Sequence, residues 1–546
     1  MQHAAIKSLA LAGILGLGIA ACSSSSSSSG SGTAATGKTL VIESTSVTAP
    51  SQNFNPFVQS ATGYSAQATG LIYEPLYIFN VMNPTQAPVP VLASGQPTWS
   101  NGGKTLTVPI RSGVKWSDGK PFTASAPLVT SATATSPTSV TLNFSSPQFA
   151  NLFLIGQVYI VPQHVWSSVS NPVTYTDANP VGTGPYALQT YSSHGFLLKQ
   201  NPHYWNKSAV KVSAVDFPFY SSNANLVPPI SSGQIDWAGS NLGPGLNSSY
   251  LSKSNNNTTW LNSQPYFAAN NVVTLWLNVT KAPLNDPAVR QAVSYGINRQ
   301  QLSTQGESGY EAPATSSGGL LLPIDNTFLD SSMQGDLPAT GDPAKVTSIL
   351  TKDGYTKVGG KWTKNGQQIT FSITDPIAYS DYYTNDQLIA SQLNKLGFNV
   401  KVDGNGSPTA WQADFNNGAF DATIHWSNQG PNPFYYYENW LDHTFSAPIG
   451  KPAAGDNGRF NDPAAQAALA QFAGTNDPAT QKAAINSLQK IMSTQVPMVP
   501  LLYGAAWSEI STRNYTGWPT NGNAYMTPIP NSPYLELVVL HLKPAS

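Results

Sequence analysis

Residues 386–402 read Asp-Gln-Leu-Ile-Ala-Ser-Gln-Leu-Asn-Lys-Leu-Gly-Phe-Asn-Val-Lys-Val, and this stretch decides the class of fold. The first part predicts a helix that ends at Gly397, because glycine readily adopts the left-handed conformation that closes a helix. The alternation of apolar and polar residues in Phe398–Val402 predicts a strand directly after it. A helix that leads straight into a strand is typical of an α/β protein.

Four further helix starts in the second half of the chain share one signature. Asp286, Asp342, Asp462 and Asp477 are each followed by Pro-Ala. An aspartate before a helix accepts hydrogen bonds from free backbone N–H groups, and proline is favoured at the first helical position. We therefore predict a large α/β lobe over residues 271–504.

Strand-like runs occur along the whole chain and are predicted at residues 39–43, 106–110, 139–144, 272–278, 369–373 and 535–542. Residues 81–180 are rich in Pro, Ser and Thr and show little helical periodicity, so they are predicted to form a small β-rich unit. The last run, Leu535–Leu542, is predicted as a strand that returns to an earlier part of the fold.

The amino terminus carries the features of an export signal. Lys7 is followed by an apolar run from Leu9 to Ala21, which is shorter than the roughly 20 residues that span a bilayer but fits a signal peptide. Cys22, the only cysteine, follows at once and precedes a serine tether, which resembles a bacterial lipobox. We predict a signal peptide at 1–21, lipidation of Cys22, and a tether at 22–37. A plain secretory signal with an incidental cysteine is the alternative.

Composition excludes several classes of function. The 26 Lys and Arg residues balance 27 Asp and Glu residues, so the chain has no basic field to attract nucleic acid. A single cysteine, predicted to be lipidated, leaves no thiol for disulfides or thiolate metal sites. The mature chain is longer than one hydrophobic core usually covers, so two or three folding units are expected.

The sequence also lacks the signatures of catalysis. It contains no nucleophile elbow, no zinc-protease motif, no P-loop and no dinucleotide-binding glycine motif. None of the seven histidines lies in ligand spacing with another histidine or a carboxylate, so no metal site and no cofactor are predicted. The chain is therefore interpreted as a binding protein and not an enzyme. A secreted hydrolase and an adhesive surface protein remain distant alternatives.

Several motifs in a fixed order resemble those of the family 5 extracytoplasmic solute-binding proteins, the peptide, nickel and oligosaccharide receptors of ABC importers. The resemblance covers nearly the whole mature chain. It rests on Asn55–Phe57, Leu71–Leu76, Val108–Thr123, Ile160–Pro162, Val181–Tyr186, Asn201–Trp205, Ser232–Trp237 and Val289–Arg299.

This resemblance implies a two-lobe fold of the periplasmic-binding-protein type (type II, cluster C) with an extra small β-rich domain. Lobe I is expected at residues 38–80, 181–270 and 505–546, the small domain at 81–180, and lobe II at 271–504. After Phe122-Thr-Ala124 the family continues into a long helix and loop that this sequence lacks, so the small domain is expected to be abridged.

The resemblance also implies partners and a place of action. The protein is expected to act outside the cytoplasm, in the periplasm or at the outer face of the cell membrane, anchored by its lipid. A small-molecule ligand would be enclosed between two hinged lobes and delivered to ABC permease subunits. The protein is expected to be monomeric.

The ligand class is predicted from the segment around Trp426. Peptide-binding members of the family place an aspartate three residues after this tryptophan to anchor the ligand's amino group, whereas this chain has Gln429. Neutral amides and clustered aromatic rings suit a neutral polyhydroxylated ligand. An oligosaccharide of the cello-oligosaccharide or β-glucoside type is therefore slightly favoured over an oligopeptide or dipeptide. The predicted ligand-binding residues are Trp426, Asn428, Gln429, Tyr436, Tyr437 and Trp440, with Tyr266 and Trp411 as weaker candidates.

One alternative reading of this segment stays open. Tyr435–Tyr437 could simply pack the start of a helix, in which case an aspartate or glutamate elsewhere would receive a ligand amine. Adjacent residues on one element point in different directions, so the three tyrosines cannot all face a pocket.

Overall fold

A computed structural model describes residues 38–44, 51–122, 132–220, 225–240, 242–405 and 407–545. The predicted signal peptide, Cys22 and most of the segment where the family helix is missing lie outside these residues. In the part of the chain that is described, no helix is both long enough and apolar enough to span a membrane.

A six-stranded sheet forms the centre of the larger part of the molecule, here called the central body. Its strand order is β14-β21-β13-β20-β18-β19. The strands are β13 (Ala268–Leu277), β14 (Ala312–Pro313), β18 (Thr370–Pro376), β19 (Asn399–Asn405), β20 (Ala422–Trp426) and β21 (Met498–Ala506). β18 pairs in parallel with β19 and β20, and the remaining pairs are antiparallel.

Helices cover both faces of this sheet. Alternate residues of β13 point to opposite sides, so Val273 and Leu275 join one hydrophobic cluster while Val272 and Trp276 join another. The first cluster contains α7 (Pro287–Gly296), α9 (Pro343–Lys352) and α10 (Ser380–Leu396). The second contains α11 (Pro408–Asn417), α12 (Phe434–Leu441), α13 (Pro463–Ala473) and α14 (Pro478–Gln495). Two covered faces make this an α/β layer structure.

The four predicted helix starts are confirmed. The carboxylates of Asp286, Asp342, Asp462 and Asp477 accept backbone N–H bonds of 2.7–2.9 Å at the starts of α7, α9, α13 and α14. The helix predicted near 386–396 ends at Gly397 as expected, where φ is 106°, but it begins at Ser380. Its first residues carry no side-chain cap, so the sequence gives no signal of that start.

A four-stranded sheet forms the second large unit, here called the amino-terminal body. Its order is β1-β10-β9-β8, with β1 parallel to β10 and the other pairs antiparallel. The strands are β1 (Thr39–Val41), β8 (Tyr186–Ser192), β9 (Gly195–Gln200) and β10 (Ala214–Pro218). One hydrophobic cluster joins this sheet to α2 (Thr69–Ile72) and to the carboxyl-terminal segment.

The carboxyl-terminal segment corrects one prediction, because the expected strand 535–542 is the helix α15 (Tyr534–His541). Tyr534, Leu535, Val538 and Val539 are buried in the amino-terminal body. Nearly every position of this run is apolar, so periodicity alone cannot separate a buried strand from a buried helix. Its tertiary neighbours supply an apolar environment on most sides, and a helix then satisfies its backbone internally.

A small antiparallel sheet with the order β4-β5-β7-β6 lies within the segment predicted to be β-rich. Its strands are β4 (Thr98–Ser100), β5 (Thr105–Pro109), β6 (Ala132–Ser136) and β7 (Ser139–Asn143). The remaining elements are β2 (Tyr77–Ile78), β3 (Val89–Pro90), β11 (Trp237–Ala238), β12 (Asn257–Thr258), β15 (Thr356–Val358), β16 (Lys361–Lys364), β17 (Gln367–Gln368), β22 (Glu509–Ser511), β23 (Tyr515–Thr516), β24 (Lys543–Pro544) and the short helices α1 (Thr62–Ser65), α3 (Leu152–Gly156), α4 (Gln163–Trp166), α5 (Val227–Ser231), α6 (Leu246–Ser249) and α8 (Arg299–Gln301).

Two neighbouring chain segments connect the central body to the amino-terminal body. Ala268 at the start of β13 lies opposite Ala506 at the end of β21. Just beyond them, β22 pairs with β11 and β12, and Trp237 of β11 bridges Ile42 at the end of β1. The connection is therefore a pair of adjacent strands.

Candidate ligand-binding cleft

A cleft of about 720 Å³ lies between the two bodies, beside the connecting strands. The amino-terminal body contributes Glu43, Gln67, Gly239 and Asn531 among others. The central body contributes the beginning of β13, the last residues of β20 and β21, Glu311, and the start of α10. Because its walls belong to different bodies, a change in the angle between them would change the width of the cleft.

Trp426 is the most exposed aromatic ring of the cleft. It is the last residue of β20 and is 39% exposed, an unusual value for a side chain of this size. Its ring stacks on His425 with centroids 4.2 Å apart and lies 6.3 Å from both Tyr382 and Trp411. Rings behind and beside it hold Trp426 in place, so it presents a fixed flat surface to the cleft.

Trp411 lies behind Trp426 and not in the cleft wall. It is buried, stacks on His425, and donates from Nε1 to Thr423 Oγ1 at 2.8 Å. Burial lowers the pKa of His425 to about 4, so this imidazole is neutral at physiological pH. Trp411 and His425 therefore support the exposed ring and do not offer charge to a ligand.

The amide side chains in the cleft come from four segments. They are Gln67, Asn270, Asn271, Gln429 and Asn531. Gln429, a predicted site residue, lines the cleft, whereas Asn428 is exposed in the same loop and is not among the lining residues. Gly504 lies opposite Asn271, and a Cβ atom there would overlap the Asn271 amide, so this glycine makes room for a polar side chain at the cleft.

Three carboxylates also line the cleft: Glu43 from the amino-terminal body, and Glu311 and Asp381 from the central body. Glu43 accepts bonds from the Ser240 hydroxyl and from the Gly239 N–H. Burial raises the pKa of both Glu43 and Glu311 above the ordinary glutamate value. The cleft thus combines aromatic, amide and carboxyl groups.

Tyr436, Tyr437 and Trp440 correct the predicted site, because all three are buried in the central body. The Tyr436 hydroxyl donates to Asp325 at 2.8 Å, and the Tyr437 hydroxyl donates to the Gly318 carbonyl at 2.6 Å. Trp440 is fully buried between these rings and α14. These side chains pack the start of α12, which is the alternative that the sequence left open.

Tyr266 is also displaced from the cleft. It precedes β13 with φ at 62°, and its ring lies 6.1 Å from Tyr310 in a separate hydrophobic cluster. It is partly buried there and does not line the cleft.

The Asp325–Tyr436 pair predicts a pH effect on stability. Burial raises the pKa of Asp325 to about 7 from 3.8, so the folded protein disfavours its charged form. The contribution of Asp325 to the free energy of unfolding is greatest below pH 3.8. It falls by about 1.4 kcal/mol for each pH unit as the pH rises toward 7. We expect Asp325→Asn to remove this loss, so the variant should gain stability relative to the parent between pH 4 and pH 7 in urea unfolding. A constant difference across that range would contradict the assignment.

Sequence reasoning missed several cleft residues, notably Glu43, Glu311, Asp381 and Tyr382. Glu43 is the last residue of a predicted strand, and none of the other three lies in a sequence pattern that points to a binding site. In the described ranges, no group of three or more His, Cys, Asp or Glu side chains is arranged to hold a metal ion.

The sequence matches a family model described as bacterial extracellular solute-binding proteins, family 5, over residues 87–128 and 126–447. Among curated proteins, the glutathione-binding protein GsiB of Escherichia coli O6:K15:H31 (strain 536 / UPEC) is 23% identical over 454 residues, which cover 77% of this chain and 81% of GsiB.

Among solved structures, the fold resembles the periplasmic oligopeptide-binding protein of an oligopeptide ABC transporter from Thermotoga maritima. The TM-score is 0.83 at 24% identity, covering 93% of this chain and 99% of that chain. A mannohexaose-bound structure of the Thermotoga protein gives a TM-score of 0.75 with the same identity and coverage. The fold is therefore that of the periplasmic binding proteins.

Proposed function

The chain belongs to the bacterial extracellular solute-binding proteins of family 5, and from this membership we propose that it captures an oligosaccharide between its two bodies for an ABC importer. Binding proceeds without turnover, and the closed form is what the membrane permease recognises. The amino-terminal body acts as lobe I and the central body as lobe II, and the boundaries between them, near residues 270 and 505, lie within the connecting strands β13 and β21.

The lining of the cleft is the observation that carries the choice of ligand. Trp426 offers an exposed ring face on which a sugar ring can stack, and the surrounding amides can bond to hydroxyl groups. Among the described residues that line the cleft, none is a lysine, arginine or histidine. A short peptide would bury its terminal carboxylate there without a positive partner, which is costly. The mannohexaose bound to the Thermotoga protein supports a sugar as well.

An oligopeptide or dipeptide is the second candidate. The relatives in this fold include proteins named for glutathione and oligopeptides, and the carboxylates of the cleft could receive a peptide's amino group. Trp426 and Gln429 would then line a peptide subsite.

Calorimetric titration decides between the two ligands. We expect cello- or manno-oligosaccharides to produce saturable heat and mixed short peptides to produce none. Small-angle scattering should show a smaller radius with bound sugar, because the bodies close around it. Tight peptide binding that weakens with added salt, together with no response to sugars, would overturn the oligosaccharide proposal.

Membrane attachment is the remaining part of the proposal and rests on the Cys22 signal. The precursor would be cleaved before Cys22 and lipidated there. Stable anchoring takes more than one acyl chain, so Cys22 is expected to carry at least two. We expect Cys22→Ser to leave the precursor uncleaved or to release the protein from membranes, as seen by fractionation and gel mobility. Normal processing and full membrane retention of that variant would rule out lipidation at this position.

A further inference from the structure

Glu311 is a buried residue at the cleft, and only one of its two carboxylate oxygens has a hydrogen-bond partner. Its side chain is only 4% exposed, and Oε1 accepts the Ala505 N–H at 3.0 Å. Oε2 is buried without any hydrogen-bond partner, although the residue borders the cleft. Buried carboxylate oxygens are normally paired, so an unpaired one beside a binding cleft indicates a missing donor.

The groups that face Glu311 are acidic. Glu307 and Asp381 lie close enough to interact with it electrostatically, and Tyr382 of α10 lies beside them. On the wall formed by the amino-terminal body, Glu43 interacts electrostatically with Glu509, another buried carboxylate. Within the described residues, no positive side chain lines this region of the cleft. Both walls therefore present acids with no countercharge.

A protonated amine on the ligand would supply both the missing hydrogen-bond donor and the missing positive charge. An ammonium group supplies three N–H donors, one of which can bond to Glu311 Oε2, and its positive charge favours the ionised form of this carboxyl group. A sugar hydroxyl can also donate a hydrogen bond, but it leaves the acidic groups uncompensated. Hydrogen bonds between charged partners are the stronger ones.

We infer that Glu311 receives a protonated amine of the ligand, with Asp381 beside it, and that the captured oligosaccharide is one that carries free amino groups, such as a glucosamine oligomer. This inference rests on the proposed function and narrows its ligand class. Gln429, at the position where peptide-binding members of the family place their aspartate, is then left to bond hydroxyl groups.

Matched tetrasaccharides test the inference on the unaltered protein. Chitosan tetraose carries free amines, chitin tetraose carries the same rings with acetylated amines, and cellotetraose carries hydroxyls instead. We expect chitosan tetraose to bind about tenfold or more tightly than cellotetraose at low salt, with the preference shrinking as salt rises. Equal binding of the three sugars would overturn the amine inference and leave the oligosaccharide function intact. Peptide binding with no response to any sugar would overturn both.

Glu311→Gln tests the residue itself. The amide keeps an oxygen for the Ala505 N–H but loses the charge, so we expect chitosan tetraose to bind about tenfold to a hundredfold more weakly while cellotetraose is little affected. Glu438→Gln is the matched control, because burial raises the pKa of Glu438 to about 7 but the residue does not line the cleft. An equal loss for both sugars in Glu311→Gln, or the same loss in the control, would contradict the assignment.

Proton release gives an independent readout that needs no variant. Burial holds the pKa of Glu311 well above its ordinary value, with Asp381 adding to the shift. At pH 6 Glu311 is therefore protonated, and an ammonium must displace that proton. Titrations in two buffers of different ionisation enthalpy should show about one proton released with chitosan tetraose and none with cellotetraose. No release with tight chitosan binding would place the amine elsewhere.

Discussion

Trp426→Ala is expected to weaken oligosaccharide binding by about 1–3 kcal/mol, the value of burying a large apolar side chain, which corresponds to roughly fivefold to 150-fold in Kd. The exposed ring is backed by His425 and Trp411, so its platform is formed before the ligand arrives. Removing it takes away the stacking surface and leaves the amides and carboxylates in place. Calorimetric titration with the tetrasaccharide that binds the parent protein measures the loss.

The matched control for this variant is Trp166→Ala. Trp166 is a partly exposed tryptophan that contacts Phe57 and Tyr175, away from the cleft lining. We expect it to leave sugar affinity unchanged. Phenylalanine at position 426 should recover part of the affinity, because it restores a ring of smaller area. An unchanged Kd for Trp426→Ala would show that the ligand does not stack on this ring.

Gly182→Ala is expected to destabilise the fold by about 3 kcal/mol or more, since inserted atoms in a well-packed site force backbone shifts. A Cβ atom on Gly182 would overlap the carbonyl oxygen of Ile72, the last residue of α2. Gly184 approaches the same turn, and its N–H donates to the Ile72 oxygen at 2.9 Å. The partner is backbone, so it cannot rotate away as a flexible side chain would.

Urea unfolding measures this loss, with Gly95→Ala as the control. A Cβ atom on Gly95 would meet only the Pro109 ring at 3.8 Å, an ordinary contact, so we expect a change within about 1 kcal/mol. Near-equal midpoints for the two variants would mean that the 181–186 turn can shift at low cost. Such a result would remove the steric reason for glycine at position 182.

The helix starts show how much of the fold local sequence determines. Asp286 and Asp462 each cap a helix through N–H groups two or three residues away, so the whole interaction is contained in the sequence signal. The strand after Gly397 is predicted for the same reason, since helix end and strand start are adjacent. The sequence also predicts Trp426 as a cleft residue, because the segment Phe420–Trp426 resembles the strand that leads into the pocket of family members, and Trp426 is the last residue of β20.

The carboxyl-terminal helix and the tyrosine run show what local sequence leaves undetermined. Leu535–Leu542 has no polar face, so only its neighbours in the amino-terminal body decide between strand and helix. Tyr436 and Tyr437 are equally compatible with a pocket and with a core until their partners, Asp325 and Gly318, are placed beside them. Those partners are far away in the sequence.

The α/β class and the capped helices follow from the amino-acid sequence, because they depend on residues that are neighbours in the chain. The family and the cleft tryptophan follow from it as well, because the family motifs stand in a fixed order along the chain. Tertiary structure alone decided which polar groups meet in the cleft. Glu43 lies two residues after β1 of the amino-terminal body, and Glu311 lies directly before β14 of the central body. Folding of the central body brings Glu311 beside Ala505 and Asp381, which are distant in the sequence, and burial there leaves one of its oxygens without a partner.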